Sequence, residues 1–573
     1  MTTPNVTFVN LPTISVDGIL GGSNVYPAVS MPLGIMYLSS AIKESAGVKF
    51  VDLIDYNIET LNRGKHGSIE NFIFNVANDS VERSPDILAV SFMFSFSVEF
   101  FGRMMPILRE MWPDTTVVVG GMHATNDVYG LLARPDVDWV ARGEAELGFA
   151  QFIRQMAEGV PADVRGFFDK TAITDHRTGV LDRCLMVEDL DRLPFPDWDL
   201  LDMDAYVNSP YSRKRNFGAA REARMASIMT SRGCPFHCTF CSSHTVHGRE
   251  MRYRSQENVL EEIRILNKRW GVNLFVPEDD MFTIKKERIV GLLDAIDGLN
   301  IENMEMQFPN ALSVNTLDKD VIEALRRAGM SVLTLAIESG SDYVQKHIIK
   351  KRCSLDRARD LVAYAVNHDI YVRCYFILGF PGETIENMKE TVAFARDLGA
   401  DWCEFMVAMP LIGSEMFQEF SDMGVLSNDD RSWTGTYRDR SFDTPEISAD
   451  DLEKLAYRAN LDVNFINNVK MRSGHYKKAL VEFEDVLVRH TFHIIALYCK
   501  ALCHKHMGDS DAAVEAMDRI HHLIETDDRS RKMFDEYGDL ISWDLARATD
   551  DQPSPVPSIR PEESGVALAS SPT

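Results

Sequence analysis

Residues 226–243, "ASIMTSRGCPFHCTFCSS", pass from a β-rich segment into a loop that carries three cysteines. Cys234, Cys238 and Cys241 are spaced so that they would align on one face of an α-helix. However, the glycine and the proline on either side of the first cysteine disfavour a helix here. The stretch therefore predicts a strand followed by a cysteine-bearing loop, and a metal site is its main chemical interpretation.

Two kinds of metal site remain open on this spacing alone. A structural zinc ion takes four closed nitrogen or sulfur ligands, and His244 is near enough in sequence to complete such a set. Alternatively, three thiolates hold a [4Fe-4S] cluster and leave the fourth iron open to a ligand that is not protein. The open corner would make the cluster reactive, whereas the closed zinc site would be structural.

From residue 226 onward, the sequence alternates β-rich and helical patterns. Strands separated by helices indicate a parallel sheet, and six such units predict an incomplete (β/α)6 barrel whose function gathers at the strand ends. The strands are predicted near residues 226–230, 273–277, 304–307, 332–338, 371–378 and 402–409.

The amino-terminal region alternates in the same way. This pattern predicts a doubly wound, Rossmann-like α/β domain with a parallel sheet, whose ligand lies beyond the carboxyl ends of the strands. The strands are predicted over residues 5–12, 48–56, 86–92, 115–124 and 137–146.

The carboxyl-terminal region lacks strand patterns and is predicted to be α-helical. Gly474 and Gly508 are 34 residues apart, as are Ala479 and Ala513. This offset is the period of tetratricopeptide repeats, and a plain helical hairpin is the alternative. The predicted organisation is an α/β domain at 1–165, a connector at 166–222, the barrel at 223–447, the helical region at 448–550 and a Pro/Ser-rich disordered tail at 551–573.

The composition restricts the class of protein. The 86 acidic against 60 basic side chains give a formal charge of −26, which disfavours a nucleic-acid partner. No apolar stretch reaches the ~20 residues that a membrane-spanning helix needs, and the amino terminus lacks the pattern of a secretory signal. Nine cysteines, an odd number, disfavour a disulfide framework. The expected location is cytoplasmic.

The spacing Cys-x3-Cys-x2-Cys after a strand, with an aromatic residue before the last cysteine, resembles the signature of the radical S-adenosylmethionine (SAM) superfamily. The resemblance implies that the three cysteines hold a [4Fe-4S] cluster and that SAM binds the open iron. It extends to "FVPEDDMFT" (275–283), "LAIESGS" (335–341) and "FILGFPGET" (376–384), each at a predicted strand end. A helix N-cap is the alternative role for the aspartates. The SAM contacts that the resemblance implies are Phe240, Asp279, Asp280, Glu338, Ser339, Gly379 and Gly382.

The amino-terminal domain resembles the cobalamin-binding domain that is fused to one large class of radical SAM enzymes. The match consists of "YPAVSMPLGIMYLSSAI" (26–42), "PDILAVS" (85–91), "VVVGGMHAT" (117–125) and "ARGEAE" (141–146). The motif Asp-x-His-x-x-Gly, which supplies a lower cobalt ligand in some cobalamin proteins, does not occur. That ligand is therefore unassigned, and a domain that has lost the cofactor is the alternative. The cobalamin contacts that the resemblance implies are Ser91, Gly120, Gly121, His123, Gly143 and Glu144.

The combined resemblance implies a cobalamin-dependent radical SAM methyltransferase. After a 5′-deoxyadenosyl radical abstracts hydrogen, a methyl group would pass from methylcobalamin to an unactivated carbon or phosphorus of a small molecule. A cyclase or rearrangement enzyme with the same cofactors is the first alternative, and a non-catalytic scaffold that binds the cluster and SAM is the second. The expected partners are a small-molecule substrate, an electron donor such as a flavodoxin or ferredoxin, and a protein bound by the helical region. No residue identifies the substrate or a catalytic side chain.

Overall fold

The computed structural model describes residues 4–20, 29–62, 66–174, 185–208, 223–426, 437–438 and 440–543. The chain divides into two units, residues 1–460 and residues 461–573, and each is described by itself. The predicted disordered tail at 551–573 lies outside the described residues. So do residues 26–28 of the first cobalamin-like segment and Cys184.

The amino-terminal domain contains the strands β1 (Val6–Asn10), β2 (Val51–Asp55), β3 (Ile87–Ser91), β4 (Thr116–Gly120), β5 (Trp139–Ala141) and β6 (Phe167–Asp169). They form one sheet in the order β2-β1-β3-β4-β5-β6, in which the first five strands in sequence run parallel. The strand order reverses between β1 and β3. In an open parallel sheet, a ligand binds in the crevice outside the strand ends at such a point.

Helices cover both faces of this sheet, which confirms the doubly wound α/β class. Because both faces are covered, its central strands are apolar along most of their length. One core lies between the sheet and α4 and α5, and the other lies between the sheet and α2 and α8. The helices of this domain are α1 (Val16–Ile19), α2 (Leu33–Ser45), α3 (Tyr56–Glu59), α4 (Ile69–Ser80), α5 (Val98–Met111), α6 (Met122–Asn126), α7 (Val128–Leu132), α8 (Glu146–Glu158) and α9 (Thr171–Thr174).

The first sheet extends past the predicted domain end at residue 165. Strand β6 pairs antiparallel with β5, from Trp139 opposite Asp169 to Ala141 opposite Phe167. The strand has only three residues, which is too short to show an alternating pattern. The first part of the predicted connector therefore belongs to the sheet, and the short helix α10 (Met203–Val207) follows it.

The second domain contains the strands β7 (Met225–Ile228), β8 (Ser231–Arg232), β9 (Arg252–Tyr253), β10 (Leu274–Pro277), β11 (Glu305–Met306), β12 (Leu312–Ser313), β13 (Val332–Glu338), β14 (Tyr371–Leu378) and β15 (Trp402–Val407). Strands β11-β10-β7 and β12-β13-β14-β15 form two parallel sheets, while β8 and β9 form a short antiparallel pair. Of the predicted third strand at 304–307, only β11 is present, and the separate strand β12 follows it. Ala311 between them has a φ of 65°, a left-handed conformation that interrupts a strand.

Helices follow the barrel strands in the predicted alternation. Strand β15 stands at an edge of its sheet, and Asn460 covers that edge: its Nδ2 donates to Phe405 O at 3.0 Å and its Oδ1 accepts from Phe405 N at 3.2 Å. Helix α18, predicted to begin the helical region, therefore packs on the barrel instead. The helices are α11 (His244–His247), α12 (Gln256–Trp270), α13 (Lys286–Asp297), α14 (Lys319–Arg327), α15 (Leu355–Asn367), α16 (Ile385–Leu398), α17 (Glu415–Asp422) and α18 (Ala449–Leu461).

The second unit consists of the helices α19 (Val469–Arg472), α20 (Tyr476–Arg489), α21 (Ile494–His506), α22 (Ser510–Thr526) and α23 (Asp528–Tyr537). Helices α20 and α22 begin 34 residues apart, and each is preceded by a glycine with a left-handed φ, 72° at Gly474 and 83° at Gly508. This repeat of helix starts and turns agrees with the predicted 34-residue period. Within the described part of the chain, no helix is long and apolar enough to cross a membrane.

Candidate active site

The loop that carries the three cysteines is held where its two ends cross. Gly233 has a φ of 97°, and a Cβ atom there would lie 2.2 Å from the carbonyl oxygen of Glu250. Next to it, Cys234 N donates to Gly248 O at 3.2 Å. Only glycine permits both this conformation and this approach. The three cysteines are half-buried on the closed loop.

The middle of the loop is fixed by two other strand-end segments. Thr239 donates from its backbone N to Ile349 O and from Oγ1 to Ile348 O, both at 3.1 Å. The ring of Phe240 packs against Phe380, with 5.8 Å between the ring centroids. The aromatic residue of the motif thus anchors the loop on the segment that follows β14.

The three half-buried thiols match the donor set of a [4Fe-4S] cluster, in which each thiolate binds a different iron and the fourth iron stays open. Burial raises the pKa of Cys234 to about 11 and that of Cys238 to about 12, so iron binding would displace their protons.

The acidic segment after β10 is tied to the start of the cysteine loop. Buried Asp279 accepts three hydrogen bonds, from Thr230 N at 2.7 Å, Thr230 Oγ1 at 2.6 Å and Ser231 Oγ at 2.5 Å. Asp280 accepts from Gly233 N at 3.3 Å. Both aspartates therefore position the backbone that leads into Cys234, and their contact with SAM stays a prediction.

The end of β13 contains a buried ion pair that sequence reasoning missed. Glu338 has a left-handed φ of 71°, and its Oε1 accepts from Lys351 Nζ at 2.7 Å. The charge of Lys351 also acts on the thiol of Cys238 and lowers its pKa against the effect of burial. Ser339 is buried and bonds Thr391 at 2.9 Å. The basic run at 350–352 was the available signal for Lys351.

The loop after β14 brings Gly379 and Gly382 to the same edge. Gly379 has a φ of 87°, and a Cβ atom there would lie 2.4 Å from a methyl carbon of Leu452. Gly382 has a φ of 73° and open space at its Cβ position. Glu383, which was quoted in the motif but given no role, accepts from Gly379 N at 2.7 Å and Phe380 N at 3.1 Å. The second carboxylate oxygen of this buried side chain has no hydrogen-bond partner.

Glu383 is expected to make stability depend on pH. Burial raises its pKa from 4.5 to about 8, despite the two backbone hydrogen bonds. A raised folded-state pKa gives stability that is fully present below the unfolded value and is lost as pH rises through the folded value. The Tm of the cofactor-free protein should therefore decrease as the pH rises from about 4.5 to about 8, and Glu383→Gln should make the Tm depend less on pH. The exposed Glu386→Gln, in the first turn of α16, is the control, and equal slopes in the two variants would contradict the assignment.

The cobalamin-like segments meet at the carboxyl edge of the first sheet. Ser91 and Gly120 are paired neighbours at the ends of β3 and β4. Gly121 has a φ of 107°, and a Cβ atom there would lie 2.7 Å from Phe92 O. His123 is buried, stacks on Phe92 at 4.1 Å and bonds Ser95 Oγ through Nδ1 at 2.9 Å. These groups pack the edge tightly, and their contact with cobalamin stays a prediction.

Apolar residues stand in the loop after β3, next to the point where the strand order reverses. Met93 is 43% exposed, and half-buried Phe94 and Phe96 stack with their centroids 5.0 Å apart. A flat macrocycle can bury its face on such an apolar surface. The edge therefore fits cobalamin, although sequence reasoning missed this group because the segment is contiguous with an apolar strand.

Gly143 and Glu144 occupy the loop after β5. Gly143 has a φ of 76° and donates from N to Thr125 Oγ1 at 3.0 Å. Glu144 is buried, and both of its oxygens accept hydrogen bonds from residues beyond the first domain. The structure thus places Glu144 against the barrel, and its predicted contact with cobalamin is untested.

The two candidate cofactor sites are in direct contact. Asn126 Nδ2, at the end of α6, donates to Thr245 Oγ1 on α11 at 3.0 Å. Ser242, the residue after the last cysteine, lies with its Oγ 3.7 Å from Met122 Sδ. The loop after β4 is therefore packed on the residues that follow Cys241, and the two strand-end sites share one boundary.

Fold and site together define a class of protein: a doubly wound domain with an apolar strand-end surface, joined to a parallel barrel with an open three-cysteine loop. Comparison with known families agrees, because the B12 binding domain matches residues 23–153 and the radical SAM superfamily matches residues 228–395. The chain therefore contains a B12-binding domain followed by a radical SAM domain.

Similar proteins include the cytidylyl-2-hydroxyethylphosphonate methyltransferase of Streptomyces wedmorensis, which is 26% identical over 474 residues, 76% of this chain and 87% of that protein. Two solved structures share the fold at 16% identity. One is the radical SAM methyltransferase TsrM from Kitasatospora setae with cobalamin and a [4Fe-4S] cluster, with a TM-score of 0.54 over 74% of this chain and 76% of that chain. The other is the cobalamin-dependent radical enzyme OxsB with aqua-cobalamin and SAM, with a TM-score of 0.59 over 95% and 83%.

Proposed function

We propose that the protein is a cobalamin-dependent radical SAM methyltransferase that adds a methyl group to an unactivated carbon or phosphorus of a small molecule. The observation that carries the proposal is the contact of Asn126 with Thr245 at 3.0 Å. It places the strand-end loop of the B12-binding domain against the end of the cysteine loop. Direct transfer requires the methyl donor and the activated substrate to be held close together.

The division of labour follows from the chemistry of the acceptor. An unactivated carbon or a phosphinate phosphorus is a poor nucleophile, so ordinary methylation by SAM does not reach it. When bound, the cluster with SAM supplies a hydrogen-abstracting radical, and cobalamin supplies the methyl group. The chain contributes the binding and orientation of these groups and the exclusion of water.

The described strand-end residues suit these tasks. Cys234, Cys238 and Cys241 would hold the cluster on a loop whose ends are fixed at Gly233. The exposed Met93 and the stacked Phe94 and Phe96 would bury one face of the macrocycle. The strand ends at 338–339 and 379–382 would receive SAM. The thiol ligands must stay reduced, which supports a cytoplasmic location and a small electron carrier such as a flavodoxin or ferredoxin as the partner.

Methyl-labelled SAM tests the proposal. The anaerobically reconstituted protein is expected to form 5′-deoxyadenosine and to move label first to bound cobalamin, which needs no substrate, and then to an acceptor. The first acceptor to try is cytidylyl-2-hydroxyethylphosphonate, the compound in the name of the Streptomyces wedmorensis relative. Mass spectrometry detects the labelled product.

Each outcome has a distinct reading. Formation of 5′-deoxyadenosine without label on cobalamin would contradict methyl transfer and favour the cyclase or rearrangement alternative. Absence of SAM cleavage by a protein that contains a full cluster would contradict an enzyme altogether and favour a scaffold.

A further inference from the structure

A buried ion network joins the B12-binding domain to the cysteine loop. We name it the Glu144 network, and it consists of Glu144, Glu146, Arg232, His247 and Arg252. The two glutamate and two arginine side chains are at most 10% exposed, and the side chain of Glu144 is 1% exposed. Two carboxylates face two guanidinium groups, so the charges of these four groups balance.

Glu144 is the centre of the network. Arg252 binds it in a bidentate manner, with NH1 to Oε2 at 2.8 Å and NH2 to Oε1 at 2.6 Å. His247 Nδ1 lies 2.9 Å from Oε1, and Val187 N donates to Oε2 at 2.7 Å. Burial alone would raise the pKa of Glu144, but the hydrogen bonds from His247 and Arg252 and the charge of Arg232 hold it well below its ordinary value. The side chain is therefore a fixed anion.

The network forms hydrogen bonds with both ends of the cysteine loop. Arg232 lies directly before Gly233 and donates to Glu146 Oε1 at 2.6 Å, with NH1 3.4 Å from Glu144 Oε2. At the other end, Arg252 also donates to His247 O at 2.8 Å. His247 directly precedes Gly248, whose carbonyl oxygen accepts a hydrogen bond from Cys234 N. Glu144 and Glu146 flank one residue of the first domain, so that short segment holds the entry and the exit of the loop.

Stability alone does not account for such an arrangement. Burying ion pairs costs desolvation energy, and well-packed apolar residues of similar volume often serve as well or better. Ion pairs with bidentate geometry, however, fix direction as well as distance. A loop that must place a cluster at a set position relative to a second cofactor needs that directional control.

We infer that the Glu144 network is a positioning device that sets the distance and orientation of the cluster relative to cobalamin. Glu144, Glu146, Arg232 and Arg252 act through the cysteine loop and are positioning residues. The inference rests on the proposed function for its second cofactor, while its mechanical part, the fixing of residues 231–253, does not.

Glu144→Gln in the full chain tests both parts. In the cofactor-free protein, amide hydrogen exchange of peptides within 231–253 is expected to accelerate by about tenfold or more, because a bidentate charged acceptor is lost. In the reconstituted protein, pulsed electron paramagnetic resonance between cob(II)alamin and the reduced cluster should show the distance distribution shifted or broadened by about 1 Å or more. Arg252→Lys, which keeps the charge but loses the fork, should show the same direction and takes the place of Glu144→Gln if that variant does not fold.

The matched control is Asp294→Asn, which removes an exposed partner of Arg327 at 2.7 Å on α13. It should change neither measurement. A folded Glu144→Gln or Arg252→Lys protein with both cofactors bound and an unchanged distance distribution would overturn the inference, as would unchanged exchange in 231–253. Failure of the wild type to bind cobalamin, seen in its visible spectrum, would instead count against the proposed function, and the exchange measurement would still decide whether the network fixes the loop.

Discussion

Replacing Cys238 by serine is expected to abolish both the cluster and the cleavage of SAM. The cysteine lies between Gly233, which fixes the entry of the loop, and Thr239, whose two hydrogen bonds fix its middle. No neighbouring thiol can move into its place, because the backbone on both sides is held. Losing an outer-shell partner of a metal site costs up to about 100-fold in activity. Because Cys238 would bind the cluster directly, we expect the visible absorption of the cluster to disappear and 5′-deoxyadenosine formation to fall by more than about 100-fold.

The measurement is anaerobic reconstitution with iron and sulfide, followed by a visible spectrum, iron analysis and a SAM-cleavage assay with a chemical reductant. Cys499→Ala is the matched control, since that thiol is fully buried on α21 in the second unit. It should retain the cluster and the activity. Full iron content and SAM cleavage in Cys238→Ser would rule out the three-cysteine site.

Local patterns predicted the parallel sheet of the first domain, the parallel strands of the barrel and the edges at which the site residues lie. Strand and helix periodicities are local properties of the sequence, and in a parallel sheet they also determine which strand ends face the same side. The cysteine loop was predictable for the same reason, because the residues flanking Cys234 exclude a helix. The strand ends at Ser91, Gly120, Glu338 and Gly379 followed directly.

The partners of those residues were not predictable in the same way. Glu144 was interpreted as a cobalamin contact because it lies in "ARGEAE" after a strand. In the structure its carboxylate is bound by Arg252, which is 108 residues away in sequence. Such a contact depends on how two domains pack, and neither local periodicity nor motif spacing encodes that.

The domain limits were also only partly predictable from local patterns. Strand β6 is too short to show an alternating pattern, so the predicted end of the first domain at residue 165 lies before the last strand of its sheet. Helix α18 has the apolar spacing of any amphipathic helix, and this spacing does not reveal which surface the helix covers. The hydrogen bonds of Asn460 with the edge strand β15, and the packing of Leu452 on Gly379, show that it belongs to the barrel.

Lys351→Met is expected to destabilise the cofactor-free protein by about 3–5 kcal/mol, because it leaves the carboxylate of Glu338 buried without its partner. The side chains of Lys351 and Glu338 are 12% and 8% exposed and 2.7 Å apart. Glu338 cannot easily turn to solvent, since its backbone is held in a left-handed conformation at the end of β13. For a domain of this size the Tm should fall by about 10 °C in thermal unfolding.

Two further variants separate the charge effect from simple loss of packing. Lys346→Met removes an exposed partner of Asp342 at 3.5 Å, with side chains 60% and 72% exposed, and should cost less than about 1 kcal/mol. Lys351→Met combined with Glu338→Leu removes both buried charges and should recover much of the lost stability, because no unpaired ion remains. If the double variant is as unstable as the sum of its single variants, then packing around the strand end, and not the ion pair, holds Glu338 in place.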